Sequence, residues 1–125
     1  MTNITSKEQF ERMLADEQAV LFLFFDWSGQ AVVSLRLFES WVQEWRGLHP
    51  ESSVAFYRLD PDAHPDTWRW VGEQARSETD NERGFGSVTW IRRGRSVAFV
   101  RYAAQVGKDE LSRLTDEHFG HINAA

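Results

Sequence analysis

Ser28 is the side chain best placed to do chemistry. It stands in Phe24-Phe25-Asp26-Trp27-Ser28-Gly29-Gln30-Ala31, where an apolar run ends and an amphipathic stretch begins. That order predicts a strand, a tight turn and a helix start. The hydroxyl would then face free backbone N–H groups and a helix dipole that favour negative charge. A serine nucleophile also needs an adjacent base. No histidine is near Ser28 in sequence, and Asp26, two residues away on an extended segment, offers only a carboxylate. The simpler role for Ser28 is helix N-cap, accepting from the first turn's N–H groups.

Other reactive types are scattered. The four histidines are His49, His64, His118 and His121. His118 and His121 have a spacing that could share a helix face for a metal, but Gly120 falls between them at the expected helix end, which puts both in a fraying tail. Asp60, Asp62 and Asp66 crowd around Pro61 and Pro65 as helix-capping residues, without the spacing or distal glutamate of a calcium loop. There is no Walker loop, and Gly84-Phe85-Gly86 is too short a glycine pattern to hold a dinucleotide. We therefore expect no metal and no cofactor. The chain has no cysteine, so disulfides and thiolate chemistry are excluded.

The elements that must position Ser28 are legible from periodicity. Thr5 and Ser6 precede Glu8 and Gln9 at capping-box spacing, and Phe10, Met13 and Leu14 share a face, predicting a helix over 6–16. Residues 19–25 form a continuous apolar run, the pattern of a strand buried on both faces. Val33, Leu37, Phe38, Trp41, Val42 and Trp45 recur at helical spacing over 31–46, with Gly47 and Pro50 as stop signals. Val54 to Leu59 reads as a second strand, followed by a third helix from Asp62–Pro65 through Trp68 and Val71. Trp68 and Trp70 cannot share one face of that helix. Residues 72–85 are a polar insertion, either the helix's solvated extension or a mobile loop. Val88–Arg92 and Ser96–Tyr102, joined by Arg93-Gly94-Arg95, form a hairpin, and Lys108 to Phe119 a last helix closed by Gly120. The order α-β-α-β-α-β-β-α predicts one α/β domain over 1–125, a mixed central sheet with helices on both faces.

Composition bounds the partners. A chain of 125 residues with 14% aromatics can fill one core. Net charge is −5, against a nucleic-acid role. Residues 84–108 hold five basic residues and no acid, while 60–83 hold seven acids and three arginines, so a basic hairpin would sit in an acidic surface. No apolar run reaches membrane-spanning length and no secretion signal is visible, so the expected setting is cytoplasmic.

This order and the 24–31 segment resemble the thioredoxin family, in which a tryptophan precedes Cys-Gly-Pro-Cys at a helix start. Here Trp27 is followed by Ser28, Gly29, Gln30 and Ala31. The resemblance covers roughly residues 4–119 and has a second anchor. Gly86, eight residues before the hairpin Gly94, falls where thioredoxins keep a cis proline within Gly-Ile-Pro-Thr. Phe85 and Ser87 match the residues flanking that proline, and Phe22 falls where the family keeps a buried aspartate. The resemblance thus implies a thioredoxin-like fold without the two cysteines, the aspartate or the proline, and with a trans bond before Gly86. It further implies that Trp27, Ser28, Gly29, Gln30, Phe85 and Gly86 form an apolar groove with a free backbone edge, able to contact a protein, a peptide or a second copy of the chain. The alternative is that Trp27 folds onto the bulky Phe22–Phe25 region. A second class of function is a non-thiol enzyme, or a glutathione- or anion-binding protein, that uses the helix N-terminus at Ser28.

With no thiol in the chain, insulin disulfides supplied with dithiothreitol should be reduced no faster than in buffer and heat-killed controls; a faster rate would show that the sulfur-free site has been misread.

Overall fold

The computed structural model describes residues 1–60, 63 and 85–124. In chain order the elements are β1 (Thr2–Ile4), α1 (Lys7–Ala15), β2 (Gln18–Leu23), α2 (Gly29–Leu48), β3 (Ala55–Leu59), β4 (Ser87–Arg92), β5 (Arg95–Val100) and α3 (Ala103–Ala124). The third helix expected from 62, together with Trp68 and Trp70, lies outside the described residues. So does all of the polar 72–85 stretch except Phe85.

The five strands form one sheet in the order β1-β3-β2-β4-β5. β3 runs parallel to both β1 and β2, and β4 runs antiparallel to β2 and β5. β2 is the central strand, and all six of its residues are buried. Its side chains alternate between two cores. Ala19, Leu21 and Leu23 join Phe10 and Met13 of α1, while Val20 and Phe22 join Phe38, Trp41 and Trp45 of α2. Helices therefore cover both faces of a mixed α/β sheet, as the two-sided apolar run predicts. The strand is shorter than 19–25 because its pairing with β4 ends at Leu23, opposite Ser87, while Phe24 makes one more bond to β3, its N–H donating to the carbonyl of Leu59 at 2.8 Å.

Element ends show what overrides a local signal. β1 was not foreseen: only Ile4 of its three residues is buried, so it carries no alternation to read. It exists because β3 offers a parallel edge, pairing Thr2 with Tyr57 and Ile4 with Leu59. Gly47 does not stop α2. The helix continues to Leu48, and His49 caps it, stacked on Trp45 at 4.0 Å and donating its backbone N–H to the Trp45 and Arg46 carbonyls. α3 has a short first piece from Ala103 that the sequence did not signal and a longer piece that begins after Gly107, at Lys108 as predicted, and passes Gly120. Gly107, at φ 83° and ψ 171°, breaks it into two helical pieces, which hid its first turn from a search for one unbroken stripe.

One helix start and one turn match their sequence signals. Ser6 caps α1 by accepting from the N–H of Gln9, and Gln9 in turn accepts from Thr5. The β4–β5 turn is the two residues Arg93 and Gly94, both at positive φ, 50° and 78°. That is the twist two-residue hairpins require, and a non-glycine residue adopts it only when held. Glu17 holds it: the Arg93 Nε lies 3.0 and 2.9 Å from its two carboxylate oxygens, and the Arg93 N–H donates to its carbonyl at 3.1 Å. The guanidinium accordingly keeps the Glu17 carboxyl below its ordinary range.

On the other side of α1, its C-cap Asp16 accepts from the hydroxyl of Tyr57 on β3. Burial first, and then the Asp16 carboxylate, push the Tyr57 phenol up from 10.0 to about 12. The fold therefore favours the neutral phenol. That contribution is fully present below the ordinary phenol pKa near 10 and is lost as pH rises through about 12. The urea midpoint should fall across this window more steeply in the native chain than in Tyr57→Phe, and parallel curves would rule the linkage out.

Candidate functional site

The segment that opens α2 is built by a turn. The N–H of Ser28 donates to the carbonyl of Phe25 at 3.1 Å, which swings Trp27 to the outside. Trp27 is 63% exposed, with its ring tilted against that of Phe25 at 5.7 Å. The indole touches the Phe25 ring and leaves most of its surface to solvent, so it does not fold down fully onto the Phe22–Phe25 region. Gly29 and Gln30 are exposed beside it.

Ser28 is buried, and its hydroxyl is engaged. Its Oγ accepts from the N–H of Ala31 at 3.2 Å and donates to Oε1 of Gln30 at 3.2 Å. Its carbonyl accepts from Val32 in the first helical bond. This is the N-cap role. Of the described histidines, His49 sits at the far end of α2 and His118 pairs with Glu117 on α3, so neither serves Ser28 as a base. His118 also lies inside a continuing helix and not in a frayed tail. Among the described residues no group of three His, Asp or Glu could hold a metal ion.

The second half of the predicted site meets the first through Ser34, which reading the sequence missed. Ser34 is fully buried one turn into α2. Its hydroxyl donates to the carbonyl of Phe85 at 2.9 Å and accepts from the N–H of Ala104 at 3.0 Å. Gly86 presses on it. A Cβ built on Gly86 would come within 2.5 Å of the Ser34 Cβ and 3.0 Å of the Phe22 ring. Gly86 also sits at φ 90°, in the region side chains avoid. No described peptide bond is cis, so the bond before Gly86 is trans, as expected. The sequence did carry a signal for Ser34: it is a small polar residue on the same face as Ala31, Leu35 and Phe38, where a helix stripe should be apolar.

Phe85 and Gly86 do not present a fully free edge. The Phe85 carbonyl already accepts from Ser34, and the Gly86 carbonyl accepts from the N–H of Ala103 at 3.0 Å. The Phe85 ring is half-buried, packed on Tyr102 at 5.4 Å with the Arg101 guanidinium 5.2 Å above it. Phe22, at the position of the family's carboxylate, is fully buried and packs on Phe38 at 5.0 Å.

No protein-family model matches the chain, and no curated protein does. Solved structures do. A protein with a thioredoxin fold superposes with a TM-score of 0.69 at 12% identity, covering 90% of each chain. Plasmodium falciparum thioredoxin gives 0.66 at 17% identity, covering 94% of this chain and 99% of that one. The oxidised mitochondrial thioredoxin 3 of Saccharomyces cerevisiae gives 0.65 at 14% identity over 94% of each chain. The fold is thioredoxin-like. At such low identities the likeness extends to the fold alone, and this thioredoxin-like chain has no active-site cysteines because it has no cysteine at all.

If Ser28 and Ala31 occupy the positions of the catalytic pair, Ser28→Cys/Ala31→Cys should form a disulfide in air, read as a two-dalton mass loss within one chain. The existing hydrogen bond from Ala31 to the Ser28 side chain already joins these two positions across one helical turn. Failure to close the bond would show that the alignment of the pair is wrong.

Proposed function

We propose that this chain is a redox-inactive thioredoxin-like domain of the cytoplasm that acts by binding. Its partner is a protein, a peptide or a second copy of the chain. The contact centres on Trp27, with Ser28, Gly29, Gln30, Phe85 and Gly86 around it.

The observation that carries this reading is the 63% exposure of the Trp27 indole at the mouth of the fold. A tryptophan left in water forfeits the largest apolar burial any side chain can offer, and tryptophan anchors dominate many interfaces. The turn beneath it is already satisfied: the Ser28 N–H, carbonyl and hydroxyl all have intramolecular partners. Trp27 can therefore be covered without rearranging what supports it. Because the carbonyls of Phe85 and Gly86 each accept an internal bond, the contact is led by side chains and not by addition of a strand.

The alternative is a non-thiol enzyme, or a glutathione- or anion-binding protein, working at the α2 N-terminus. It would need the Ser28 hydroxyl free, and that hydroxyl is buried and spent on the cap.

Trp27→Asp should abolish association with a partner captured from the native host, or with a second copy by sedimentation equilibrium. Its stability should shift by no more than about 0.5 kcal/mol, as for other exposed substitutions. Phe85→Asp is not an equivalent test, because Phe85 packs on Tyr102. A collapsed melting temperature in Trp27→Asp, or unchanged association, would end this reading.

A further inference from the structure

α2 lies over β2 and β3, and the sheet extends one strand further. On the α2 side, the flank beyond β3 opens into a cleft of about 350 Å³ lined by Asn3, Glu39, Val42, Gln43, Arg46 and Arg58. None of these residues belongs to the Trp27 surface. Alternation along the strands puts them there. Ile4 and Leu59 enter the α1-side core, so their neighbours Asn3 and Arg58, partners across the β1–β3 ladder, face the α2 side.

The two arginines are held by the aromatic layer. The Arg46 guanidinium lies 5.0 Å from the Phe56 ring centre, and that of Arg58 lies 5.5 Å from the Phe24 ring centre. A guanidinium resting on a ring keeps its N–H edges available while losing part of its rotamer freedom in advance. Among the described residues Arg93 is paired with Glu17, Lys108 with Glu44, and Arg113 with Glu110 and Glu117, whereas Arg12, Arg36, Arg92 and Arg95 make no such pair. Among the described residues neither Arg46 nor Arg58 has such a partner, although the chain carries 19 acidic residues against 14 basic ones. The side-chain amides of Asn3 and Gln43 likewise have no described partner. Glu39 lines the same cleft and pairs with neither arginine.

We propose that this cleft is an oxyanion site. It takes a phosphate or carboxylate group on the forks of Arg46 and Arg58, assisted by the amides of Asn3 and Gln43. Planar guanidinium forks match the oxygens of either group. Glu39 narrows the class: it repels a highly charged polyanion and accepts from an N–H or O–H next to the bound oxyanion.

The test is a ¹⁵N–¹H NMR titration of the full chain at constant ionic strength, with sodium chloride as control. The probes are inorganic phosphate and, separately, N-acetylglutamate, which carries both carboxylates and an N–H. At least one probe should shift the side-chain amide signals of Asn3 and Gln43 saturably. Arg46→Gln and Arg58→Gln should each weaken that binding at least tenfold, and Arg95→Gln, on the exposed hairpin, should leave it unchanged. Arg58→Lys keeps the charge and loses the fork, so weakened binding there with an unchanged backbone spectrum separates recognition from a folding defect. Saturation by phosphate alone would name a phosphorylated ligand, and saturation by N-acetylglutamate alone a carboxylate ligand. No saturable shift with either probe, or shifts that survive in both glutamine variants, would overturn the proposal.

Discussion

A single buried hydroxyl ties together three parts of the chain that are remote in sequence. Ser34, inside α2, gives its proton to the carbonyl of Phe85 before β4 and takes one from the N–H of Ala104 in the first turn of α3. Both bonds lie in a core where an unmet polar group would be expensive, so the three segments are fixed to one another as a set. The fit demands closeness: α2 approaches residue 86 until no Cβ can stand between them. That approach explains why a glycine at positive φ leads the chain into β4, independently of any ancestry of the position. Beyond the break at Gly107, the Ser112 and Thr115 hydroxyls of α3 accept from the indole N–H groups of Trp41 and Trp90, each at 2.9 Å.

The parts that were legible in the sequence were those where one local pattern decides the outcome. The run before Phe24 reads as an interior strand, since the five residues 19–23 carry no polar side chain and leave no side for water. Ser28 could be read as an N-cap because capping is settled within three residues. What was hidden depended on distant partners. Three residues of β1 become a strand only because β3 is there to pair with, and no window around Thr2 contains Ala55–Leu59. Glycine signals misled for a related reason. Gly47 weakens a helix by only about 1 kcal/mol, and α2 runs past it to the cap at His49, which stacks on Trp45. The arginines of the α2 flank were invisible as a pair, because Arg46 and Arg58 meet in one cleft only when helix and strand are laid side by side.

Phe22 shows how far the interior has been committed to apolar packing. Its ring continues an aromatic layer that passes through Phe38 and Trp41 to Phe56 and Trp45. A carboxylate in its place would be a charge surrounded by rings, costing several kcal/mol with nothing to pair it. The layer reaches the surface at Phe56, under Arg46, and in the same cleft Arg58 rests on the neighbouring Phe24 ring. The same rings that fill the core therefore also orient the cationic groups at its rim.

The central position of β2 has a consequence for how the chain comes into being. Its parallel neighbour, β3, begins at Ala55, and its antiparallel neighbour, starting from the pairing of Gln18 with Arg92, is made later still. On a ribosome, where synthesis proceeds at about 5–20 residues per second, this strand with its five apolar residues must wait several seconds with both hydrogen-bonding edges open. During that interval the strand is as ready to join a stranger as its own sheet. A newborn chain thus passes through its most adhesive state well before it is complete, and helix α1, formed from local contacts, is the first part of the molecule able to shield it.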